Sequence, residues 1–246
     1  MAPRIKDIVN SLDQEAPFSL AESWDNVGLL IGNPDQEVTS VLIGLDPTHS
    51  LIDEALASGA NTVITHHPVI FKPLASINTA DPGGKLLEKA LVNKIAIISC
   101  HTNLDSAVDG VSDILASMLG LTELSPLLPA SEKHSPGTGL GRIGKFSAPV
   151  PAKTFLKNVL ELLDLNSVQI AGKIPETIQT VAVCGGSGSD LATESLARGA
   201  DIYLSAEIKH NTAIWAIENN FCVIDGTHFA TEQLSVSLLA DKLNQA

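Results

Sequence analysis

Short apolar runs alternate with amphipathic stretches along the whole chain. Runs such as 95–98 and 181–184 have the length of buried strands, whereas 83–93 and 208–219 carry apolar residues at helical spacing. This alternation favours α/β layers with a largely parallel or mixed sheet. Strands are predicted over 39–45, 61–65, 94–99, 143–147, 167–170, 179–184, 201–205 and 221–225, and helices over 4–15, 48–59, 83–93, 109–119, 151–163, 189–199, 208–219 and 230–244.

The two halves of the chain resemble each other. Residues 54–61 match 194–201 at a constant offset of 140, and each copy predicts a helix that ends at Gly before the next strand. Residues 97–105 match 224–232 at an offset of 127, and both copies place His-x-x-x-carboxylate just after a strand. Duplicated units of this kind would form a shared cleft at the carboxyl ends of their strands.

The repeat also suggests the domain division. We expect a first lobe over 1–125 and a second over 145–246, whose last helix is allowed to pack with the first lobe. Residues 126–144 are rich in Pro, Gly and Ser and lack helical periodicity, so they are expected to connect the lobes.

Composition narrows the class of protein. Hydrophobic residues make up 44% of the chain but aromatic residues only 4%, which predicts a core of Val, Ile, Leu and Ala. The net charge of −13 argues against a nucleic-acid partner. No apolar run approaches the ~18 residues of a membrane span, and the N-terminal residues lack an apolar leader. We therefore expect a cytoplasmic protein without a membrane partner, in which the three cysteines are buried thiols.

The candidate metal ligands follow predicted strands. His66 and His67 are adjacent and precede a proline, and two such residues are harder to explain as structural than one. His228 and Glu232 stand four apart at the start of a predicted helix, which gives either paired ligands or a surface ion pair. Asp105 is either a ligand or an ordinary loop or helix N-cap aspartate. The repeat favours ligands, since both His-x-x-x-carboxylate copies fall at corresponding strand ends.

The number of candidate ligands sets the expected number of metal ions. A catalytic zinc keeps three protein ligands and a water, so five side chains are too many for one ion. They fit two ions about 3.5–4 Å apart that share a carboxylate, for which Glu232 is our choice. Imidazole with carboxylate suits Zn, Mn, Fe, Co or Ni. His101 is either a sixth ligand or an acid/base group.

Two glycine-rich segments are considered as nucleotide- or phosphate-binding sites. Residues 139–144 match G-x-G-x-x-G, but no predicted strand precedes them and no helix follows, which argues against a dinucleotide site. Residues 185–189 lie between a strand and a helix. They form either a tight turn or a phosphate contact, and Arg142 is a second candidate phosphate contact.

Five blocks of the sequence resemble one known family over nearly the whole chain: 24–29, 65–68, 102–105, 207–210 and 226–232. The chain is similar to the NGG-one-interacting factor three-like proteins, also called GTP cyclohydrolase I type 2 homologs. The resemblance implies two similar, intertwined α/β lobes, a dinuclear metal centre in the cleft between them, and a homohexamer with inward-facing sites. The family's ligands correspond to His66, His67, Asp105, His228 and Glu232.

The resemblance also suggests a function. The chain would be a metal-dependent hydrolase acting on a nucleotide-like or phosphorylated small molecule, with His101 and Glu207 as candidate catalytic residues. The alternative is a non-enzymatic metal-binding scaffold, or a regulatory or chaperone-like oligomer. The block that begins at Trp24 is either a capped turn with a buried ring or a substrate contact. The chain departs from the family at Ala206, where Gly is usual, and at 246 residues it is a short form without the extra domain that some members carry between the halves.

Overall fold

The structure is a computed structural model that describes residues 2–245. The chain divides into two compact units, the first formed by Met1–Leu104 with Ser235–Ala246 and the second by Asp105–Leu234. Within residues 2–245, every helix is too short or too polar to cross a lipid bilayer.

The first unit is built on a four-stranded sheet. Its elements are α1 (Ile5–Glu15), β1 (Gly28–Ile31), β2 (Val41–Gly44), α2 (His49–Ser58), β3 (Thr62–Thr65), α3 (Pro82–Val92), β4 (Ala96–Ser99), the first part of α4 (Thr102–Ser106) and most of α10 (Leu234–Gln245). The strand order is β1-β4-β3-β2, with β2, β3 and β4 parallel and β1 antiparallel to β4. Every residue of β3 and β4 is buried, as expected of central parallel strands.

The second unit is built on a six-stranded sheet. Its further elements are α5 (Val111–Met118), β5 (Thr122–Pro129), β6 (Gly139–Pro151), α6 (Ala152–Leu162), β7 (Gln169–Ala171), β8 (Thr177–Val183), α7 (Ala192–Ala197), β9 (Ile202–Ser205), α8 (His210–Glu218), β10 (Cys222–Asp225) and α9 (His228–Glu232). The strand order is β5-β6-β8-β9-β10-β7. Strands β8, β9 and β10 are parallel, whereas β7, β6 and β5 are antiparallel to their neighbours.

The internal duplication is confirmed by the topology of the two sheets. The order β2-β3-β4-β1 recurs as β8-β9-β10-β7, with the same parallel and antiparallel pairings. The register is also shared, because Val41 pairs with Thr62 and Val181 pairs with Ile202, at the same offset of 140. The prediction that glycines end the two matching helices is confirmed as well. Gly59 and Gly199 adopt positive φ angles of 74° and 80°, the conformation in which glycine ends a helix.

Three strands differ from the sequence prediction. β1 and β5 were not expected, and β6 begins at Gly139 rather than at residue 143. Residues 126–144, expected to connect the lobes, thus contribute to β5 and β6. β1 is stabilised by pairing with β4, about 70 residues further along the chain, which local periodicity does not report. β5 is an edge strand that contains Pro126 and Pro129, and prolines argue against a strand when only the local sequence is considered.

The core is aliphatic, as the composition predicts. In the first unit, Ile52, Val63 and Ile97 belong to one buried cluster between the helices and the sheet. In the second unit, separate clusters contain Phe155 and Tyr203. The cysteines are buried thiols, as expected.

Candidate metal centre

Three histidines gather beyond the carboxyl ends of β3 and β4 in the first unit. His66 and His67 follow β3 directly, and His101 lies two residues beyond the end of β4. The rings of His66 and His67 are 5.2 Å apart, and their centroids lie 5.2 and 5.5 Å from that of His101. Each ring offers one nitrogen within 4.8 Å of the other two, so the group could hold a metal ion.

The hydrogen bonds of these rings fix which nitrogen carries the proton. Nδ1 of His66 lies 2.8 Å from the carbonyl oxygen of Cys100, which can only accept, so this nitrogen donates. Nδ1 of His67 donates to Asp46 at 2.7 Å, and Nδ1 of His101 donates to Asp25 at 2.8 Å. In the neutral rings the lone pair is therefore on Nε2, which is the form that a metal ligand needs.

Asp25 is the most strongly held of these partners. Its side chain is fully buried and also accepts hydrogen bonds from the amide and hydroxyl of Thr102, at 3.1 and 2.5 Å. Burial by itself raises the pKa of Asp25, but the hydrogen bonds from His101 and Thr102 outweigh it and lower the pKa to about 2. The carboxylate is therefore ionised at neutral pH, which strengthens the hydrogen bonds that it accepts from His101 and Thr102.

A second group lies beyond β9 and β10 in the second unit. His228 Nε2 is 2.8 Å from Glu232, and its Nδ1 is 3.1 Å from Glu207. The hydrogen bond with Glu232, opposed by burial and assisted by Glu207, raises the pKa of His228 to about 9. Without a metal the ring is thus protonated at neutral pH, and a metal ligated at Nε2 would replace that proton. The i,i+4 placement of His228 and Glu232 on one helix is as predicted.

Two residues with positive φ angles lie next to His228 and Glu232. Glu207 has a positive φ of 51°, and Gly186 has one of 62°. A Cβ atom on Gly186 would lie 1.8 Å from the carboxylate of Glu232, so only glycine leaves room for that side chain. Asp105, the remaining predicted ligand, lies in α4 and is buried.

The donor chemistry fits a transition metal. The described residues include histidine and carboxylate groups that could hold an ion, with imidazole nitrogens in the tautomer that ligation requires. Zn, Mn, Fe, Co and Ni accept such mixed sets. Asp46 was not identified from the sequence, and Asp25 and Gly186 were identified only within motifs that were not assigned to the metal centre. Asp46 and Gly186 occupy corresponding places after β2 and β8, so the rule that ligands gather at strand ends would have found both.

The structure argues against the two phosphate contacts considered from the sequence. The guanidinium of Arg142 is buried and donates all five of its N–H groups internally, to the carboxylate of Asp113 and the carbonyls of Ala107, Gly139 and Gly141. The motif at 139–144 lies inside β6.

The glycine-rich turn at 185–189 also uses its amides internally. The amides of Gly185, Gly186 and Gly188 donate to the hydroxyls of Ser112, Thr231 and Ser205, at 3.4, 3.0 and 3.1 Å. The tight-turn interpretation is therefore favoured over a phosphate-binding loop.

Known proteins match this chain over nearly its full length. The family model described as Duf34/NIF3 (NGG1p interacting factor 3) matches residues 3–246. A Streptomyces coelicolor protein named GTP cyclohydrolase 1 type 2 homolog is 35% identical, over 99% of this chain and 86% of that protein.

Solved structures agree as well. A hypothetical protein of Staphylococcus aureus has a TM-score of 0.88 at 32% identity, covering 100% of this chain and 93% of the other. A Bacillus cereus protein related to NIF3 has a TM-score of 0.90 at 25% identity, covering 100% and 94%. The chain therefore belongs to the Duf34/NIF3 (NGG1p interacting factor 3) family.

Proposed function

We propose that this protein holds two divalent metal ions and acts as a metal-dependent hydrolase on a nucleotide-like or phosphorylated small molecule. The proposal is carried by one observation, the cluster of His66, His67 and His101 whose Nδ1 atoms all donate to a carbonyl or a carboxylate. Histidines with only a structural role have no need of this arrangement, whereas metal-ligating histidines almost always donate their other ring N–H to such a group. The proposed ligands are His66, His67, Asp105, His228 and Glu232.

The identity of the metal follows from the donor types. Nitrogen and carboxylate oxygen together suit Zn, Mn, Fe, Co or Ni better than Mg or Ca. When bound, two such ions lower the pKa of a water molecule and neutralise the negative charge that develops on the attacked group. Five protein ligands for two ions leave coordination positions for water and substrate, which supports chemistry over a closed structural site.

His101 and Glu207 would have different roles. The buried carboxylate of Asp25 holds the His101 ring through Nδ1 and leaves the ring's lone pair on Nε2, which is suited to accept a proton from the attacking water. Glu207 accepts from Nδ1 of His228. We therefore propose that His101 moves the proton and that Glu207 orients a metal ligand.

The substrate class rests on names and composition. The relative from Streptomyces coelicolor is named as a homolog of a GTP cyclohydrolase, which makes a purine nucleotide the first substrate to test. The net charge of −13 favours cations and disfavours nucleic acid as a partner. By resemblance to its family, we further propose a cytoplasmic homohexamer.

Metal content tests the proposal. Elemental analysis of the purified chain is expected to give about two transition-metal ions per chain, as two-metal hydrolytic sites require. His66→Ala and Glu232→Ala should lower this number, while the control His134→Ala, outside both groups, should not. Circular dichroism verifies that each variant is folded.

Activity is then measured with the metal-loaded protein on nucleoside triphosphates and simple phosphate esters. No metal in the wild-type protein, even after reloading with Zn, Mn or Fe, would refute the proposal. Two tightly bound ions without turnover of any substrate would instead favour a metal-binding scaffold.

A further inference from the structure

Two aromatic rings are exposed beside the histidine cluster of the first unit. Trp24 is 57% exposed and Phe71 is 43% exposed, although the chain has only nine Phe, Trp and Tyr residues in total. The two rings touch edge to face, with centroids 5.8 Å apart. Burying such rings is among the largest hydrophobic contributions available to a fold, so leaving both in solvent forgoes that stabilisation.

The backbone around these exposed rings is firmly held. The next two residues after Trp24 are anchored: Asp25 binds His101, and Asn26 donates from Nδ2 to the carbonyl of Ile70 at 2.6 Å. The latter bond ties the turn that carries Trp24 to the segment that carries Phe71. The exposure of the rings is therefore fixed by the fold around them.

The arrangement forms a corner open to a flat ligand. The planes of Trp24 and Phe71 meet at 65°, and both rings lie close to His101, with centroid distances of 6.3 and 6.1 Å. A planar ring can stack on one face of this corner while its edge meets the other, which are the two arrangements that aromatic pairs prefer. Such a ring would lie next to the cluster of His66, His67 and His101.

We propose that Trp24 and Phe71 bind the planar heterocyclic ring of the substrate and position it beside the histidines. This inference rests on the proposed function and assigns the residues that recognise the ring. Stacking uses the π-face of a ring and requires no particular hydrogen-bond pattern. The corner therefore favours substrates that contain a flat ring and does not distinguish one base from another. A phosphate ester without such a ring would lose this contact.

The affinity of Trp24 for a ring can be measured by its own fluorescence. Trp215, in α8, is the other tryptophan of the chain, so Trp215→Phe leaves Trp24 as the only indole reporter. Guanosine, which has the ring but no phosphate, is expected to quench this fluorescence saturably. Ribose 5-phosphate, which has no aromatic ring, is expected to leave it unchanged.

A second substitution locates the contact. Phe71→Leu in this background should weaken guanosine binding about tenfold, equivalent to ~1.4 kcal/mol. Leu91→Ala, at a position that is 55% exposed on α3, is the control and should bind as the parent does. If Trp215→Phe does not fold, calorimetric titration of wild-type and Trp24→Ala proteins measures the same affinity.

The outcomes separate this inference from the hydrolase. Guanosine binding that persists after chelation of metals and weakens in Phe71→Leu supports the aromatic corner, even when no hydrolysis is detected. Equal guanosine affinity in Phe71→Leu and its parent overturns it, even when the metal-loaded enzyme is active. The inference is also overturned if Trp24→Ala changes the oligomeric state but leaves the guanosine affinity unchanged. That result would assign the rings to an interface between copies of the chain.

Discussion

Replacing Gly186 with alanine isolates the role of one glycine in the proposed metal centre. The added Cβ would lie 1.8 Å from Oε1 of Glu232 and 3.3 Å from Nε2 of His228. Real Cβ contacts essentially never fall under 3.0 Å, so the carboxylate would have to move by about 1.2 Å. Since the carboxylate is the end of a flexible side chain, it is the group expected to give way.

The magnitude of the effect follows from this displacement. Metal–ligand distances tolerate deviations of about 0.2 Å, so a shift of about 1.2 Å removes Glu232 as a ligand. Changes outside the ligands themselves already cost about 10–100-fold in metal affinity, and the loss of a ligand should cost at least about 100-fold. The backbone cost is modest, since an L-residue at this positive φ costs roughly 1–2 kcal/mol.

Gly199→Ala is the matched control. Gly199 has a φ of 80°, so alanine there suffers similar backbone strain, but none of the described residues comes within 4 Å of the added Cβ. Urea unfolding should show similar losses of stability in the two variants. Chelator-competition titration with Zn should show weak binding in Gly186→Ala alone. Wild-type affinity in Gly186→Ala, or an equal loss in Gly199→Ala, would refute the reasoning.

Two further predictions concern the buried groups. Asp113→Ala leaves the guanidinium of Arg142, which is 1% exposed, without its carboxylate and should cost about 3–5 kcal/mol in urea unfolding. As a control, Asp190→Ala removes the exposed ion pair with Lys209 and should lower the free energy of unfolding by at most about 1 kcal/mol. Equal losses of stability in Asp113→Ala and Asp190→Ala would contradict the interpretation that burial makes the Arg142 pair important. Burial raises the pKa of each cysteine thiol to about 12, so at pH 8 only about 1 in 10⁴ is thiolate. A thiol reagent should therefore label the chain only after it has been unfolded in urea. Fast labelling of the native chain would contradict this expectation. The thiols concerned are Cys100, Cys184 and Cys222.

Local patterns accounted for the parts of the fold that depend on local chemistry. The parallel strands β2, β3 and β4 and their copies are apolar runs bounded by glycine or polar residues, so periodicity located them. The duplication was visible because the copies keep the same residues at a fixed offset. β1 was missed because the short strand Gly28–Ile31 is stabilised by its pairing with β4, about 70 residues further along the chain. β5 was missed because its two prolines argue against a strand, although an edge strand tolerates them.

The sequence by itself determined the α/β class, the repeat, the family and the histidines and carboxylates that could bind metal. Only the tertiary structure decided how those side chains are held, because their partners lie far away in the chain. Asp25 reaches His101 across 76 positions, and Asp46 reaches His67 across 21. The same holds for Arg142, whose charge suggested a phosphate contact but whose guanidinium is buried and paired with Asp113, 29 positions away in the chain. Residue type is local, whereas proton placement and burial arise from contacts that form only when the chain folds.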